Sequence, residues 1–349
     1  MDHFALRPGY EISRVIRGGW QLAGGHGAVD RRAAVDDLVA CAEAGITSFD
    51  CADIYTGVEE IIGAFRSAYR RTHGAAALGR IKVHTKFVPD LDILPRIGKA
   101  HVTEVIDRSL KRLDMDRLDL VQFHWWDYAI PGYVETALRL VELQGQGKIH
   151  LLGGTNFDTP HSAELLAAGV PLVSMQVQYS LLDARPENGL TALGRGHGMH
   201  LLCYGSVAGG FLSDHWLGKS EPRSPFENRS LTKYKLIIDD FGGWDLFQHL
   251  LRTLRHIADD HGSDIATVAS RAVLQRPQVA AVIVGARDRS HLAANAAIAD
   301  LELAPKDMAR IDAVLRDRRG PPGDAFSLER DRDGRHGSIM KYNLGKGAA

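Results

Sequence analysis

The regular alternation of short apolar segments with helical segments constrains the fold of this chain more than any other feature. The opening strand ends near Gly18, and seven further apolar segments follow, each with a helical segment after it. These segments lie near 46–50, 81–86, 118–123, 149–153, 172–176, 201–204 and 279–284. A strand that leads through a helix to the next strand indicates a parallel sheet with right-handed crossovers.

Two architectures fit such a series, an open doubly wound sheet and a closed barrel. No Gly-x-Gly-x-x-Gly follows the first strand, as a dinucleotide-binding open sheet would require. Eight units in one unbroken series favour closure instead. We therefore predict an α/β fold, a (β/α)8 TIM barrel that forms a single domain over 1–349, with its core at about 14–317.

Three segments depart from the repeating pattern. A short N-terminal hairpin precedes the first barrel strand. A long loop after the seventh strand, 206–244, contains paired glycines and two prolines and is predicted to be irregular. The tail, 318–349, is rich in Gly, Arg and Asp. We expect the tail to lie over the surface, with its charged run 329–333 in solvent.

Composition excludes several classes of protein. The chain is 45% hydrophobic with a net charge of -1, so nothing in its charge predicts a nucleic-acid or membrane partner. No apolar run reaches the roughly 20 residues that a membrane span needs, and Met1 to Tyr10 lack the apolar core of a signal peptide. Three dispersed cysteines predict neither a disulfide scaffold nor a metal site. We expect a cytoplasmic monomer or weak oligomer that binds a small molecule.

Polar residues recur where successive predicted strands end. In a (β/α)8 barrel the carboxyl ends of the strands surround the active site. A single polar residue there could merely cap its strand, but six from consecutive strands indicate a site. The six are Asp50, Lys86, His124, Asn156, Gln176 and Tyr204.

The loop after Asp50 adds a phenol, Tyr55. An ammonium beside a phenol stabilises the phenolate and so makes the phenol a stronger general acid. Lys86 could supply that ammonium, Asp50 could hold it charged, and His124 could hydrogen-bond a carbonyl oxygen or relay a proton. Together these groups could polarise a carbonyl and protonate the developing alkoxide. No side chain supplies a hydride, so the chemistry requires a nicotinamide cofactor.

Several motifs together carry a resemblance to a known family. They are Asp50-x-Ala-Asp-x-Tyr55 followed by Glu59-Glu60-x-x-Gly63, Thr85-Lys86, Asp119-Leu120-x-Gln122-x-His124, Gly154-Thr155-Asn156-Phe157, Gln176-x-Gln178-Tyr179-Ser180-Leu181-Leu182 and Gly285-Ala286-Arg287 ending in Asn295. The chain resembles the aldo-keto reductases over most of its length. The resemblance implies an NADPH-dependent reductase of aldehydes or ketones, or the reverse reaction, with Asp50, Tyr55, Lys86 and His124 as catalytic residues and Tyr55 as general acid.

The resemblance also implies an extended cofactor across the barrel mouth. Its predicted contacts are Thr155, Asn156 and Gln176 at the carboxamide, Tyr204 on the nicotinamide ring, Gly205, Val207 and Gly209 at the pyrophosphate, and Arg287, His291 and Asn295 at the adenosine end. Trp20 and Gly285 are predicted to contact the cofactor as well. Many members have Arg or Gln in the place of His291, and a neutral His is a weaker phosphate partner. NADP is therefore expected and NAD possible, with Arg287 and Arg289 able to compensate.

The substrate is less constrained. Trp20 and Trp125 flank rim residues and are predicted to line its pocket, with the loop after Lys86 and the 206–244 segment. The aromatic side chains indicate an apolar or cyclic carbonyl compound, a sugar or a pyridoxal-like aldehyde, and these alternatives stay open.

Two other functions are compatible with the barrel. Some members of the family serve as channel subunits, so a nucleotide-binding regulatory or redox-sensing subunit with little turnover is the alternative. A metal-dependent hydrolase would need clustered His and carboxylate ligands. Those residues are dispersed here, and Lys86 would be out of place among metal ligands.

Overall fold

The structure is a computed structural model that describes residues 2–24, 29–286 and 288–344. Its strands are β1 (His3–Arg7), β2 (Tyr10–Ser13), β3 (Val15–Gly18), β4 (Ser48–Asp50), β5 (Lys82–Phe87), β6 (Leu118–Phe123), β7 (Ile149–Thr155), β8 (Leu172–Gln178), β9 (His200–Tyr204) and β10 (Val279–Gly285). Its helices are α1 (Arg31–Glu43), α2 (Val58–Leu78), α3 (Lys99–Leu113), α4 (Tyr133–Gly145), α5 (Thr159–Ala167), α6 (Leu190–His197), α7 (Arg229–Phe241), α8 (Trp244–Asp260), α9 (Ile265–Leu274), α10 (Leu292–Asp300), α11 (Pro305–Leu315) and α12 (Ser327–Arg330).

Strands β3 to β10 form a closed parallel barrel in the order β10-β3-β4-β5-β6-β7-β8-β9. The last strand closes the cylinder by pairing with the first, as in Val282 beside Val15. The strands are buried along nearly their whole length, on both faces, because helices cover their outer face and side chains fill the barrel interior. The predicted (β/α)8 barrel with its N-terminal hairpin and long connection after the seventh barrel strand is confirmed.

The hairpin of β1 and β2 closes the amino end of the barrel. Leu6, Tyr10 and Ile12 are buried against barrel residues such as Leu120 and Val173. The functional site is therefore expected at the opposite end, where the carboxyl ends of the strands meet the longer connections.

The prediction of an irregular segment over 206–244 was wrong for 229–241, which form helix α7. One face of this helix is buried, through Tyr234, Ile237, Ile238 and Phe241. That spacing is helical, and the face packs into a second core with Phe211 and Phe247. Helix α7 thus gives the long connection a fixed position beside the barrel mouth.

The tail does not lie free in solvent throughout. Helix α12 packs against the barrel mouth, where Glu329 is 0% exposed, although 331–333 are exposed as expected. Glu329 is buried because it pairs with Arg185, which lies far away in the sequence.

Within the described ranges, no helix has the length and apolarity needed to cross a membrane.

Candidate active site

Asp50 and Lys86 form a buried ion pair at the rim. Asp50 on β4 lies beside His84 on β5, so Lys86 follows one pleat further along the same face of its strand. Lys86 Nζ lies 2.5 Å from Asp50 Oδ2 and donates to the main-chain oxygen of Cys51 at 2.8 Å. Burial alone would lower the pKa of Lys86, but Asp50 and Tyr55 outweigh it and the pKa is raised. Lys86 is therefore an ammonium.

The second carboxylate oxygen of Asp50 is held by two amides. Gln122 Nε2 donates to Asp50 Oδ1 at 2.9 Å and Gln176 Nε2 donates to it at 2.7 Å. Gln122 was not predicted as a site residue, although it precedes His124 by two positions and therefore shares its face of the strand. The two amides fix the carboxylate and, through it, the lysine.

Tyr55 lies in the connection between β4 and α2, beside this pair. Lys86 Nζ is 5.0 Å from the centroid of the Tyr55 ring, and the Trp20 ring meets Tyr55 edge-on at 5.0 Å. Burial raises the pKa of Tyr55, and Lys86 opposes this effect without reversing it. The phenol thus stays protonated through the neutral pH range and has a proton to give.

His124 is buried at the end of β6, and the structure defines its tautomer. Its Nδ1 lies 2.9 Å from the main-chain oxygen of Thr155. Since a carbonyl oxygen can only accept, Nδ1 carries the proton. Burial, assisted by the charge of Arg330, lowers the pKa of His124 to about 3. The neutral ring therefore presents an unprotonated Nε2, which has no hydrogen-bond partner in the part of the chain that the structure describes.

The residues predicted to hold a carboxamide lie on the same rim. Tyr204 donates from its hydroxyl to Asn156 Oδ1 at 2.9 Å. Asn156 Nδ2 and Gln176 Oε1 make no hydrogen bond with the described residues. Neither of these two atoms is fully buried. They are one free donor and one free acceptor, which is what a primary carboxamide needs. The site thus fits the amide end of a nicotinamide.

The predicted pyrophosphate contacts lie in a tight turn after β9. Gly205 (φ 77°) and Gly209 (φ 64°) adopt backbone conformations that favour glycine. A side chain at either position would also collide with Tyr234 of α7. Helix α7 thus supports this turn closely, and Val207 between the two glycines is half-buried.

The predicted adenosine contacts lie where β10 leads into α10. Gly285 ends β10 against the amide side chain of Gln21, the exposed His291 precedes α10, and the half-buried Asn295 lies in its first turn. The prediction for Arg287 falls outside the described residues. Arg289 pairs with Asp37 at 3.0 Å, but its side chain is 63% exposed, so this weak surface pair leaves it able to turn toward a phosphate.

Of the two tryptophans predicted to contact substrate, the structure brings only Trp20 to Tyr55. Trp125 is 0% exposed, and its indole N–H donates to two main-chain oxygens, those of Asp127 and Ile130. Trp126 takes its place at the mouth, because its ring meets His124 edge-on at 4.3 Å. Since the chain leaves the strand after His124, alternation along β6 could not decide between the two neighbours.

The tail brings further residues to the mouth that sequence analysis missed. Phe326 meets the His124 ring edge-on at 5.7 Å. Four charged side chains, which we call the tail cluster, bind the tail to the barrel: Asp183, Arg185, Lys233 and Glu329. Arg185 donates to Asp183 at 2.7 Å and to Glu329 at 2.8 Å, and both carboxylates are 0% exposed. No local pattern in the sequence pairs residues so far apart.

These features define a (β/α)8-barrel protein with a polar, lysine-containing site at the carboxyl ends of its strands. The family model described as the aldo/keto reductase family matches residues 14–316. The chain belongs to the aldo/keto reductase family.

Several relatives share most of the chain. It is 26% identical to aldo-keto reductase YhdN of Bacillus subtilis strain 168, over 90% of this chain and 93% of that protein. It is 25% identical to the NADH-specific methylglyoxal reductase of Escherichia coli K12, over 85% and 92% of the two chains. A solved thermostable aldo-keto reductase in complex with the inhibitor epalrestat superposes with a TM-score of 0.70 at 25% identity, over 90% and 100% of the two chains.

Proposed function

We propose that the protein is an NAD(P)H-dependent oxidoreductase that reduces an aldehyde or ketone to an alcohol, or catalyses the reverse reaction. The observation that carries the proposal is the buried Asp50–Lys86 pair beside Tyr55. The carboxamide-matching atoms of Asn156 and Gln176 lie on the same rim. Membership of the family supports the reaction class.

A bound nicotinamide would supply the hydride or accept it. Tyr55 gives its phenolic proton to the carbonyl oxygen as that oxygen gains charge, and takes the proton back in the oxidative direction. Lys86 stabilises the phenolate that remains, because its ammonium lies beside the ring. Asp50 keeps the lysine charged and oriented from its own buried position. The three residues thus lower the energy of a charge that exists only during the reaction.

His124 acts as a hydrogen-bond acceptor in this proposal. Its Nδ1 proton is engaged by Thr155, so the free Nε2 can accept a hydrogen bond from a hydroxyl group. A neutral His124 of this tautomer therefore orients a hydroxyl group and does not donate to a carbonyl oxygen from Nε2. Trp20, Trp126 and Phe326 surround Tyr55 and His124 with aromatic rings. These walls support an apolar or cyclic carbonyl compound as substrate.

The cofactor preference stays between NADPH and NADH. NADPH is the expectation from the resemblance, but His291 is exposed and Arg289 would have to leave Asp37 to reach a phosphate. The chain's relative in Escherichia coli is named as NADH-specific. Both nucleotides therefore belong in the test.

The test combines cofactor binding with one conservative variant. Titration with NADPH and with NADH, followed by tryptophan fluorescence, should show quenching, because Trp20 lies at the mouth. Tyr55→Phe should keep cofactor binding and lose roughly 10²- to 10⁴-fold in kcat/KM for a panel of aldehydes and ketones that includes methylglyoxal.

Tyr69→Phe is the matched control, since it removes a hydroxyl group from the buried face of α2, away from the rim. It should keep wild-type activity. Binding of neither nucleotide, or a Tyr55→Phe variant as active as Tyr69→Phe, would refute the proposed function. A Tyr55→Phe protein that keeps a biological effect without turnover would favour the regulatory alternative.

A further inference from the structure

We propose that Arg330, from the C-terminal tail, is a positioning residue for the reaction, which it serves by holding together the two strand ends that carry His124 and Asn156. This inference rests on the proposed function, because it assigns Arg330 a role through residues of that site. Arg330 itself contacts only main-chain oxygens and aromatic rings of the described chain.

The guanidinium of Arg330 bridges two strands. Its Nη1 donates to the main-chain oxygen of Trp125 and, at 2.6 Å, to that of Trp126. Its Nη2 donates to the main-chain oxygen of Asn156 at 2.8 Å. The first two oxygens directly follow His124 after β6, and the third follows Thr155 at the end of β7. The planar fork of an arginine directs separate nitrogens to the two strands, whereas a lysine has a single nitrogen to share between them.

The Arg330 bridge lies just beyond the last paired residues of β6 and β7. Strand β6 pairs with β7 as far as Phe123 beside Gly154, and His124 then donates from Nδ1 to Thr155. Asn156 has a φ of 62°, an uncommon conformation for a residue other than glycine. Without Arg330, the main-chain oxygens beyond this point lose their shared donor. His124 and Asn156 would then be free to shift.

Arg330 is itself held in place. Its guanidinium lies 3.9 Å from the centroid of the Tyr128 ring and 5.6 Å from that of Phe326. The preceding residue, Glu329, is locked to Arg185. Stacking and a buried ion pair on its own helix thus preorganise the fork before any ligand binds.

The charge of Arg330 has a second consequence. Its hydrogen-bond partners are neutral oxygens, and Asp127 and Asp158 act on its charge without hydrogen-bonding to it. The nearby Glu329 is compensated by Arg185, and across the rim Asp50 is compensated by Lys86, beside an uncharged Tyr55. Arg330 therefore disfavours protonation of His124 and preserves the free acceptor at Nε2.

Two variants separate the fork from the charge. Arg330→Lys keeps the charge and loses the bridge, so kcat should fall at least roughly tenfold while the titration of His124 stays near that of the wild type. Arg330→Gln loses both, so kcat should fall as far or further and His124 should titrate at higher pH. The titration is measured by NMR of histidine-labelled protein, with the His124 resonance assigned from His124→Gln.

Arg332→Gln is the matched control, because Arg332 is exposed and pairs with Asp127 at 3.4 Å. It should change neither kcat nor the His124 titration, and thermal melting confirms that each variant is folded. A folded Arg330→Gln protein that behaves like Arg332→Gln in either measurement would overturn the inference. The NMR measurement needs no turnover. A chain that reduces no carbonyl would thus refute the proposed function separately, while a His124 resonance indifferent to Arg330→Gln would refute this inference.

Discussion

Two buried groups of charges lie at the same end of the barrel and differ in how completely they are paired. In the rim pair, Asp50 and Lys86, the lysine donates to one carboxylate and one main-chain oxygen, which leaves its third N–H for the phenol of Tyr55. In the tail cluster, Arg185 donates to two carboxylates through all three of its nitrogens. The rim pair keeps one donor for the reacting phenol, and the tail cluster has used nearly all of its bonding capacity on its own carboxylates.

The difference teaches how buried charge can serve two purposes in one molecule. A saturated ion pair holds two parts of a chain together but has little left to offer a substrate. An unsaturated pair beside a phenol and a neutral histidine costs more to bury, and this cost is typical of a functional site. Substitutions in the rim pair should therefore act mainly on activity, and those in the tail cluster mainly on stability.

The largest expected effect comes from removing the lysine of the rim pair. Lys86→Met should reduce kcat/KM by roughly 10³-fold or more, because the phenolate of Tyr55 loses its counter-charge. Steady-state kinetics of the folded variant measure the loss. Lys82→Met on the same strand is the control, since Lys82 donates to Gly79 at the opposite end of β5. A Lys86→Met enzyme with a tenth of wild-type activity would contradict the assignment of the rim pair to activity.

The next effect should appear in the free energy of unfolding. Glu329→Gln leaves Arg185 and Lys233 with only Asp183 to balance them, which should cost about 3–5 kcal/mol by urea denaturation. The loss in kcat/KM should stay far below that of Lys86→Met. Asp331→Asn changes an exposed carboxylate two residues away and should be near neutral. A larger effect of Glu329→Gln on activity than on stability would contradict the assignment of this cluster.

The contribution of Glu329 to the free energy of unfolding should also depend on pH. Burial alone would raise its pKa, but Arg185 outweighs burial and holds the pKa at about 2. A carboxylate whose pKa is lowered on folding stabilises the protein above its unfolded pKa, about 4.5 or slightly less. The contribution of Glu329 should thus be complete at neutral pH and be lost as the pH falls toward 2.

The last prediction concerns two buried histidines outside both groups of charges. Burial lowers the pKa of His84 to about 4 and that of His124 to about 3. Unfolded histidine titrates near pH ~6.5, so the unfolded chain binds more protons than the folded chain between that pH and 4. Stability should therefore fall as the pH falls through this range, by up to about 1.4 kcal/mol per pH unit for each histidine.

His84→Leu should remove its share of that slope without loss at pH 7, because both ring nitrogens of His84 are buried and lack partners in the described chain. His249→Leu, at an exposed site on α8, should leave the slope as it is. Thermal melting at several pH values measures both variants. An unchanged slope in His84→Leu would exclude His84 as a source of acid sensitivity.

The sequence predicted the barrel and the rim residues because both depend on short-range patterns. A strand end is visible from its apolar run, and consecutive parallel strands must bring Asp50, Lys86 and His124 to one edge. Arg185 and Glu329 were beyond such reasoning, since their contact joins residues 144 positions apart. Helix α7 was obscured by the glycines and prolines that flank it. The tautomer of His124 required the position of Thr155, which only the folded chain supplies.

The pairing of β3 with β10 has a consequence for the chain during synthesis. Val15 and Val282 are neighbours in the finished cylinder, yet Val15 leaves the ribosome long before its partner is made. Until then β3 has one edge without a parallel neighbour, and such edges invite pairing with other chains. The nascent protein therefore carries an unpaired edge of β3 through most of translation. The yield of folded protein in a cell should depend on how well that strand edge is shielded from other chains.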